Sequence, residues 1–240
     1  MRDQLILLPG WAFGPAALQP LCEALAELVP DLDVVVEPLP ELADAGAWLD
    51  ELDRRLPHDS WLGGWSLGGM LATQLAARRV DTCRGLITIA SNPCFRARPQ
   101  WPEAMAAEIF DAFHEAFRLD PDETLKRFRL LCSRGGYDPR TLARQLEVSR
   151  SASAPAVLSA GLQLLAELDG RSALHGYFGP QLHLFAGSDA LVPAAALDAL
   201  RRWMPGIEVE LVTGASHALP LERADDVAST IAAFIRGNVE

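Results

Sequence analysis

An α/β architecture, a mostly parallel sheet with helices on both faces, is predicted for this chain of 240 residues. Three observations predict it. Short apolar runs end at turn formers, as buried strands do, and segments with helical spacing alternate with those runs. A Gly-x-Ser-x-Gly pattern stands where one such run passes into one such segment. Half of the residues are hydrophobic, enough to bury a large core around one sheet, and a single domain is expected.

Taken in order, Leu5-Ile6-Leu7-Leu8 closes at Pro9-Gly10 and reads as the first strand. Helical spacing follows over residues 16–28. Residues 33–37 are rich in Val and stop at Pro38-Leu39-Pro40, which predicts the second strand. Residues 48–56 are helical in pattern. Ser60-Trp61-Leu62-Gly63-Gly64 reads as the third strand and leads into Trp65-Ser66-Leu67-Gly68-Gly69, after which good helix formers run over residues 70–79. Further strands are expected at residues 86–90, 181–186 and 207–212, and a last helix at residues 222–235. From Asn92 to Gly179 no strand pattern stands out. Met105, Ile109, Phe113 and Phe117, and later Leu158, Leu162 and Leu165, recur there at helical spacing. The expected organisation is a core of residues 1–94 and 180–240 with a helical lid, residues 95–179, inserted in it. Within the insertion, the small-residue stretch 149–156 reads as a turn between helices.

Charge and composition narrow the function. A net charge of −11 argues against a general affinity for nucleic acid, which needs Lys and Arg gathered on one surface. No apolar run is long enough to cross a bilayer and the first residues carry no signal-peptide pattern, so a soluble cytoplasmic protein without membrane attachment is expected. Cys22, Cys83, Cys94 and Cys132 are widely spaced with no Cys-x-x-Cys pair, which predicts reduced thiols and neither a disulfide framework nor a zinc site. The charge is uneven. Within residues 126–150, Lys126, Arg127, Arg129, Arg134, Arg140, Arg144 and Arg150 are set against only Asp138 and Glu147, a local +5 that leaves −16 for the rest. Two readings stay open: solvated faces of amphipathic helices, or a docking surface for something acidic.

The chemistry-bearing residues fall at the ends of the predicted strands. Gly64-Trp65-Ser66-Leu67-Gly68 has a strand before it and a helix after it, the context in which glycines allow a sharp turn that lifts a nucleophilic serine above the sheet. At the helix N-terminus the backbone N–H of Leu67 is free for a developing oxyanion. A serine hydroxyl needs a base. Of the five histidines, His58, His114, His175 and His183 lie before a strand, in the insertion or within a strand, and only His217, in Gly214-Ala215-Ser216-His217-Ala218, sits in a loop just beyond one. Asp189, directly after the strand 181–186, is the acid expected to orient it; Asp198 and Asp169 fall in helical patterns. The order Ser, Asp, His is that of α/β hydrolases. After the first strand, Pro9-Gly10-Trp11 offers the second oxyanion donor, the N–H of Trp11, although Trp11 also reads as a core aromatic.

These residues resemble the BioH carboxylesterases, α/β hydrolases that cleave the methyl ester of pimeloyl-acyl carrier protein in biotin synthesis. The resemblance rests on Leu8-Pro9-Gly10-Trp11, Gly64-Trp65-Ser66-Leu67-Gly68-Gly69, Ala90-Ser91-Asn92-Pro93-Cys94-Phe95 with Trp101-Pro102, Gly187-Ser188-Asp189-Ala190-Leu191-Val192-Pro193 and Ala215-Ser216-His217-Ala218. It runs through nearly the whole chain. It implies Ser66, Asp189 and His217 as a catalytic triad, the N–H groups of Trp11 and Leu67 as the oxyanion hole, and Trp65 and Phe128 lining the acyl pocket beside them. It also implies that Arg127, Arg140 and Arg144 on the lid hold an acidic acyl carrier protein and its phosphopantetheine arm, which would give the basic island its reason. Glu123 stands where such a lid carries a basic residue, and the first loop reads Pro-Gly in place of His-Gly. The expected reaction is ester hydrolysis through an acyl-serine by a monomer that needs no metal or organic cofactor. A broad short-chain carboxylesterase and a non-catalytic hydrolase-fold binding protein are the alternatives; the complete triad argues against the second.

Overall fold

The computed structural model describes residues 3–238. Its strands are β1 (Asp3–Leu8), β2 (Leu32–Val36), β3 (Ser60–Trp65), β4 (Cys83–Ile89), β5 (Gln181–Ala186) and β6 (Glu208–Val212). They form one sheet in the order β2-β1-β3-β4-β5-β6, and every neighbouring pair is parallel. Central strands of a sheet covered on both faces are apolar along their whole length. β3 and β5 are buried at every position, the polar Ser60, Gln181 and His183 included, whereas the edge strands β2 and β6 are partly exposed.

The crossovers are helical. α1 (Gln19–Leu28), α2 (Trp48–Arg55) and α3 (Leu67–Arg78) lie between the first four strands. Five helices, α4 (Ala107–Leu119), α5 (Pro121–Ser133), α6 (Pro139–Val148), α7 (Pro155–Glu167) and α8 (Arg171–Gly176), occupy the single connection from β4 to β5. α9 (Ala195–Trp203) joins β5 to β6, and α10 (Leu219–Glu222) and α11 (Ala224–Asn238) follow. α11 packs on α1, and α3 on β3 and β4. Asp-Pro dipeptides start α5 and α6. The Asp120 and Asp138 carboxylates accept from the N–H groups of Glu123 and Thr141, and the prolines fill the first helical position, where a missing N–H costs nothing.

Several boundaries depart from the sequence expectation for physical reasons. The pattern over residues 16–28 resolves into a 3₁₀ turn, Pro15–Leu18, and then α1, with Pro20 near its start. α3 begins at Leu67, ahead of the expected residue 70: Gly68 and Gly69 are weak helix formers, but their bare backbone lets the helix lie against neighbouring chain. The last helix, expected over residues 222–235, is α11 from Ala224 to Asn238, and the short α10 stands ahead of it with Arg223 between them. Asp169, expected within a helix, lies between α7 and α8, where it accepts from the backbone N–H and the guanidinium of Arg171. The bond to the guanidinium, which outweighs its burial, holds its carboxyl down at about 2. Ahead of α4, Asn92 folds the chain back: its amide donates to Glu103 O at 2.8 Å and its oxygen accepts from the Trp101 indole at 2.9 Å. Among the described residues no helix is long and apolar enough to cross a membrane.

Candidate active site

The strand order reverses beside β1, since the chain passes from β1 outward to β2 and returns to β3 on the other side. Loops leaving the carboxyl ends of two such strands part in opposite directions and open a crevice between them. Leu8 and Gly64 are paired in register, so the loop after β1 and the turn after β3 start side by side.

Ser66 occupies that turn with φ 55° and ψ −119°, a conformation that costs a non-glycine residue about 1–3 kcal/mol. The surroundings hold it there. The Ser66 N–H donates to Ile89 O at 2.9 Å, and its carbonyl accepts from the Ser91 hydroxyl at 2.8 Å. A Cβ on Gly68 would stand 2.2 Å from the Leu8 carbonyl oxygen, and one on Gly64 2.3 Å from the Gly68 carbonyl carbon. No side chain fits at either position.

His217 and Asp189 are paired. The Nδ1 of His217 lies 2.7 Å from Asp189 Oδ2, and both side chains are 1% exposed. The other carboxylate oxygen, Oδ1, accepts from the N–H groups of Leu191 (2.8 Å) and Val192 (2.9 Å). With one oxygen anchored by backbone, the second holds the proton on Nδ1 and leaves Nε2 its lone pair. Nε2 is buried and has no hydrogen-bond partner among the described residues. An orphaned acceptor of this kind is costly in a core and is retained where a reacting group is to meet it. The histidine loop is tied to the serine turn: the indole N–H of Trp65, next to Ser66, donates to the His217 carbonyl at 2.8 Å.

Trp11 follows β1 in a turn closed by Phe13 N–H to Gly10 O, 3.2 Å. Its indole donates to Leu158 O at 2.8 Å, and its ring meets Phe113, Phe117 and Phe128 edge-on at 5.8, 5.5 and 4.8 Å. Leu67 is the first residue of α3, so its N–H has no carbonyl within the helix to bond. Trp11 and Phe128 both line an apolar cavity of about 40 Å³, together with Phe110, Phe113, Leu165 and Leu191. Phe128 also borders a wider cleft of about 350 Å³, where Phe13, Leu125 and Leu158 are joined by the polar Arg129, Arg150, Ser151 and Ser153. Trp65, expected as a pocket wall, lines neither; it is fully buried with its ring stacked on Phe13 at 4.9 Å.

The basic island is smaller than its composition. Arg127 and Lys126 lie 3.3 and 3.8 Å from Glu123, and Arg129 and Arg150 both pair with Glu147. Arg140 and Arg144, exposed one turn apart on α6, form no ion pair at contact distance among the described residues; Arg144 bonds Arg140 O and Thr141 Oγ1 and feels Asp138 only at longer range. Burial, and after it the charge of Asp189, push the Cys132 thiol well up, so it stays protonated beside the pair. Among the described residues no cluster of three or more His, Cys, Asp or Glu side chains is arranged to hold a metal ion. Two contributors escaped the sequence reading, Ser91 under the serine turn and Glu222 under the histidine loop, where its carboxylate accepts from both the N–H and the hydroxyl of Ser216. The one sequence signal for the second is position, Glu222 being the first acid after the histidine, five residues on.

Residues 5–230 match the model of the alpha/beta hydrolase family. The chain is 35% identical to the pimeloyl-[acyl-carrier protein] methyl ester esterase of Aromatoleum aromaticum, covering 98% of this chain and 99% of that one. It is 36% identical to the biotin biosynthesis bifunctional protein BioHC of Cellvibrio japonicus, of which it spans about half the length, 47% against 97% of its own. Among solved structures, a bromoperoxidase from Bacillus anthracis superposes with a TM-score of 0.84 over 98% of this chain and 92% of that one, at 17% identity, a likeness of fold.

Proposed function

The chain belongs to the alpha/beta hydrolase family and, within it, to the BioH family of pimeloyl-[acyl-carrier protein] methyl ester esterases, and from that premise we propose that it hydrolyses the methyl ester of pimeloyl-acyl carrier protein through an acyl-serine. The observation that carries this reading is the buried Asp189–His217 pair with its Nε2 unpartnered, tied through Trp65 to the strained turn of Ser66. Ser66 Oγ attacks the ester carbonyl while His217 Nε2 takes its proton. The N–H groups of Trp11 and Leu67 stabilise the tetrahedral oxyanion, and Asp189 stabilises the imidazolium. The protonated His217 passes its proton to the departing methoxide, methanol leaves, and water deprotonated by His217 then frees the acid.

The helices between β4 and β5 act as a lid, and the apolar cavity under Trp11 and Phe128 takes the acyl chain. At about 40 Å³ it holds a few waters at most, at roughly 10–15 Å³ each, too little for an acyl chain of several carbons, so the helices must shift to admit a substrate. Arg140 and Arg144 carry the attraction for an acidic carrier. Arg127 contributes less, since Glu123 already answers it.

The test compares pimeloyl-acyl carrier protein methyl ester with free dimethyl pimelate, wild type beside Ser66→Ala and beside Arg140→Ala with Arg144→Ala. Cleavage of the carrier-linked ester that disappears in the serine variant, and that falls in the arginine variant while dimethyl pimelate is cleaved as before, is the expected result. Activity on free esters alone reduces the protein to a broad short-chain carboxylesterase. No activity on either leaves a hydrolase-fold binding protein.

A further inference from the structure

Glu222 is the first acid after His217 and ends the short helix α10. Every contact of its carboxylate joins two parts of the site. Oε2 accepts from the N–H (2.8 Å) and the hydroxyl (2.7 Å) of Ser216, the buried neighbour of His217, and Oε1 accepts from the N–H of Tyr137 at 2.7 Å, in the turn between α5 and α6. Hydrogen bonds to an ionised acceptor are about twice as strong as neutral ones. The end of α5 and the same turn each touch the site at one more point. On the other side of His217, the Ala218 N–H donates to Cys132 O at 3.0 Å. Gly135, at φ +88°, lies so close to Ser188 that a Cβ would stand 2.4 Å from its carbonyl oxygen, and Ser188 immediately precedes Asp189.

We infer that Glu222 is a positioning residue for His217, an inference that rests on the esterase reading above. The backbone on both sides of the histidine is pinned to residues 132–137, on one side through the Glu222 carboxylate and on the other through Cys132. Among the described residues Asp189, at Nδ1, is the only hydrogen-bond partner of the imidazole, whose ring lies beside that of Trp65 at 5.7 Å, so the direction of Nε2 follows the position of the backbone that carries the ring. A displacement of about 1 Å in a reacting group costs on the order of 100-fold in rate. Glu222→Ala leaves the donors of Ser216 and Tyr137 without their acceptor. Glu222→Gln keeps one acceptor oxygen and restores part of the tie. Gly136→Ala loads it from the opposite side, since its Cβ would stand 2.8 Å from Oε1 and 2.9 Å from Oε2.

A fluorophosphonate probe separates positioning from folding, because Ser66 Oγ displaces fluoride from phosphorus only as fast as His217 takes its proton. For wild type and the three variants, the fraction of protein labelled at completion and the rate constant of labelling are read together with kcat and KM on p-nitrophenyl butyrate. In Glu222→Ala the expected result is complete labelling, a rate constant and a kcat that fall together by about 10- to 100-fold, and a KM within about two-fold of wild type. Glu222→Gln recovers part of the loss and Gly136→Ala shares it. A labelled fraction that falls while the rate constant of the labelled molecules is unchanged assigns Glu222 to folding alone and overturns the inference. So does an unchanged rate constant at full labelling. A wild type that is never labelled at Ser66 overturns the esterase reading itself, and the role of Glu222 with it.

Discussion

Asp189→Asn should remove nearly all activity while leaving the fold in place, because the two oxygens of this carboxylate have different duties. Oδ1 accepts two backbone N–H groups, of Leu191 and Val192, and Oδ2 faces His217 Nδ1 at 2.7 Å. An asparagine has one oxygen to place. Turned toward His217, it would aim its NH₂ at two N–H donors, forfeiting two hydrogen bonds of about 1 kcal/mol each and leaving buried donors unpaired at about 1–3 kcal/mol each. Turned toward the backbone it keeps both bonds, so this orientation prevails and the NH₂ meets Nδ1. Nδ1 must then accept, the ring proton moves to Nε2, and Nε2 can no longer take a proton from Ser66. A wrong tautomer of this kind costs about 10⁴ in kcat in serine proteases, roughly 5 kcal/mol at 1.36 kcal/mol per decade. The matching stability loss is about 1 kcal/mol or less, which in a chain of this size moves Tm by about 2–4 °C. Initial rates on p-nitrophenyl butyrate and a thermal melt of the same preparation decide the matter. Activity within tenfold of wild type would refute the assignment of Asp189, and a melt lowered far beyond that range would show that the loop, not the tautomer, had failed.

Two further outcomes follow from the geometry. Gly68→Ala should express poorly or melt at a much lower temperature, since its Cβ would stand 2.2 Å from Leu8 O and 2.6 Å from Pro9 O, both of them backbone; a melt like that of wild type would mean that α3 can lift away from β1. His183, fully buried against Thr88 Oγ1 at 2.7 Å, is held down to about 3 by desolvation, below its unfolded value of about 6.5. Between those values the unfolded chain binds the extra proton, so this residue's share of stability is complete above about pH 6.5 and is lost as pH falls toward 3, by up to about 1.4 kcal/mol per pH unit. Urea melts from pH 7 to pH 4 should therefore fall more steeply for wild type than for His183→Gln, and parallel slopes would contradict that account.

Much of this was written locally in the chain. Apolar runs ending at Pro9-Gly10 or Pro38 mark strands because burial and chain breaking act on neighbouring residues, and the turn at Ser66 is legible because sharp turns need glycine at fixed offsets. Asp189 and His217 were reached by the same logic, as loop residues just past strands. Other features depend on what folds against what. That Trp65 stands behind the histidine loop is decided by the packing of Phe13 and the His217 carbonyl, which no spacing encodes. Asp169 fits a helical pattern but lies between α7 and α8, bonded to Arg171. The pairing of Arg127 with Glu123 is an i, i+4 contact that sequence does contain, since Glu123 stands just ahead of the basic stretch 126–150. Glu222 also has a sequence signal, but Tyr137, its partner from 85 residues earlier in the chain, has none.

The contacts of residues 132–137 also bear on how such a protein could change its diet. In an insertion that merely roofed the site, the segment from β4 to β5 could be exchanged like a cartridge, altering what is admitted and leaving the chemistry alone. Here the exchanged piece would take with it the carbonyl that receives the Ala218 N–H, the glycine that clears Ser188 and the donor that meets Glu222. A chimera would have to supply all three or be born slow, whatever substrate its new walls admit. Point substitution at walls remote from that turn, Phe110 or Phe113 for example, is the cheaper evolutionary route to a new ester.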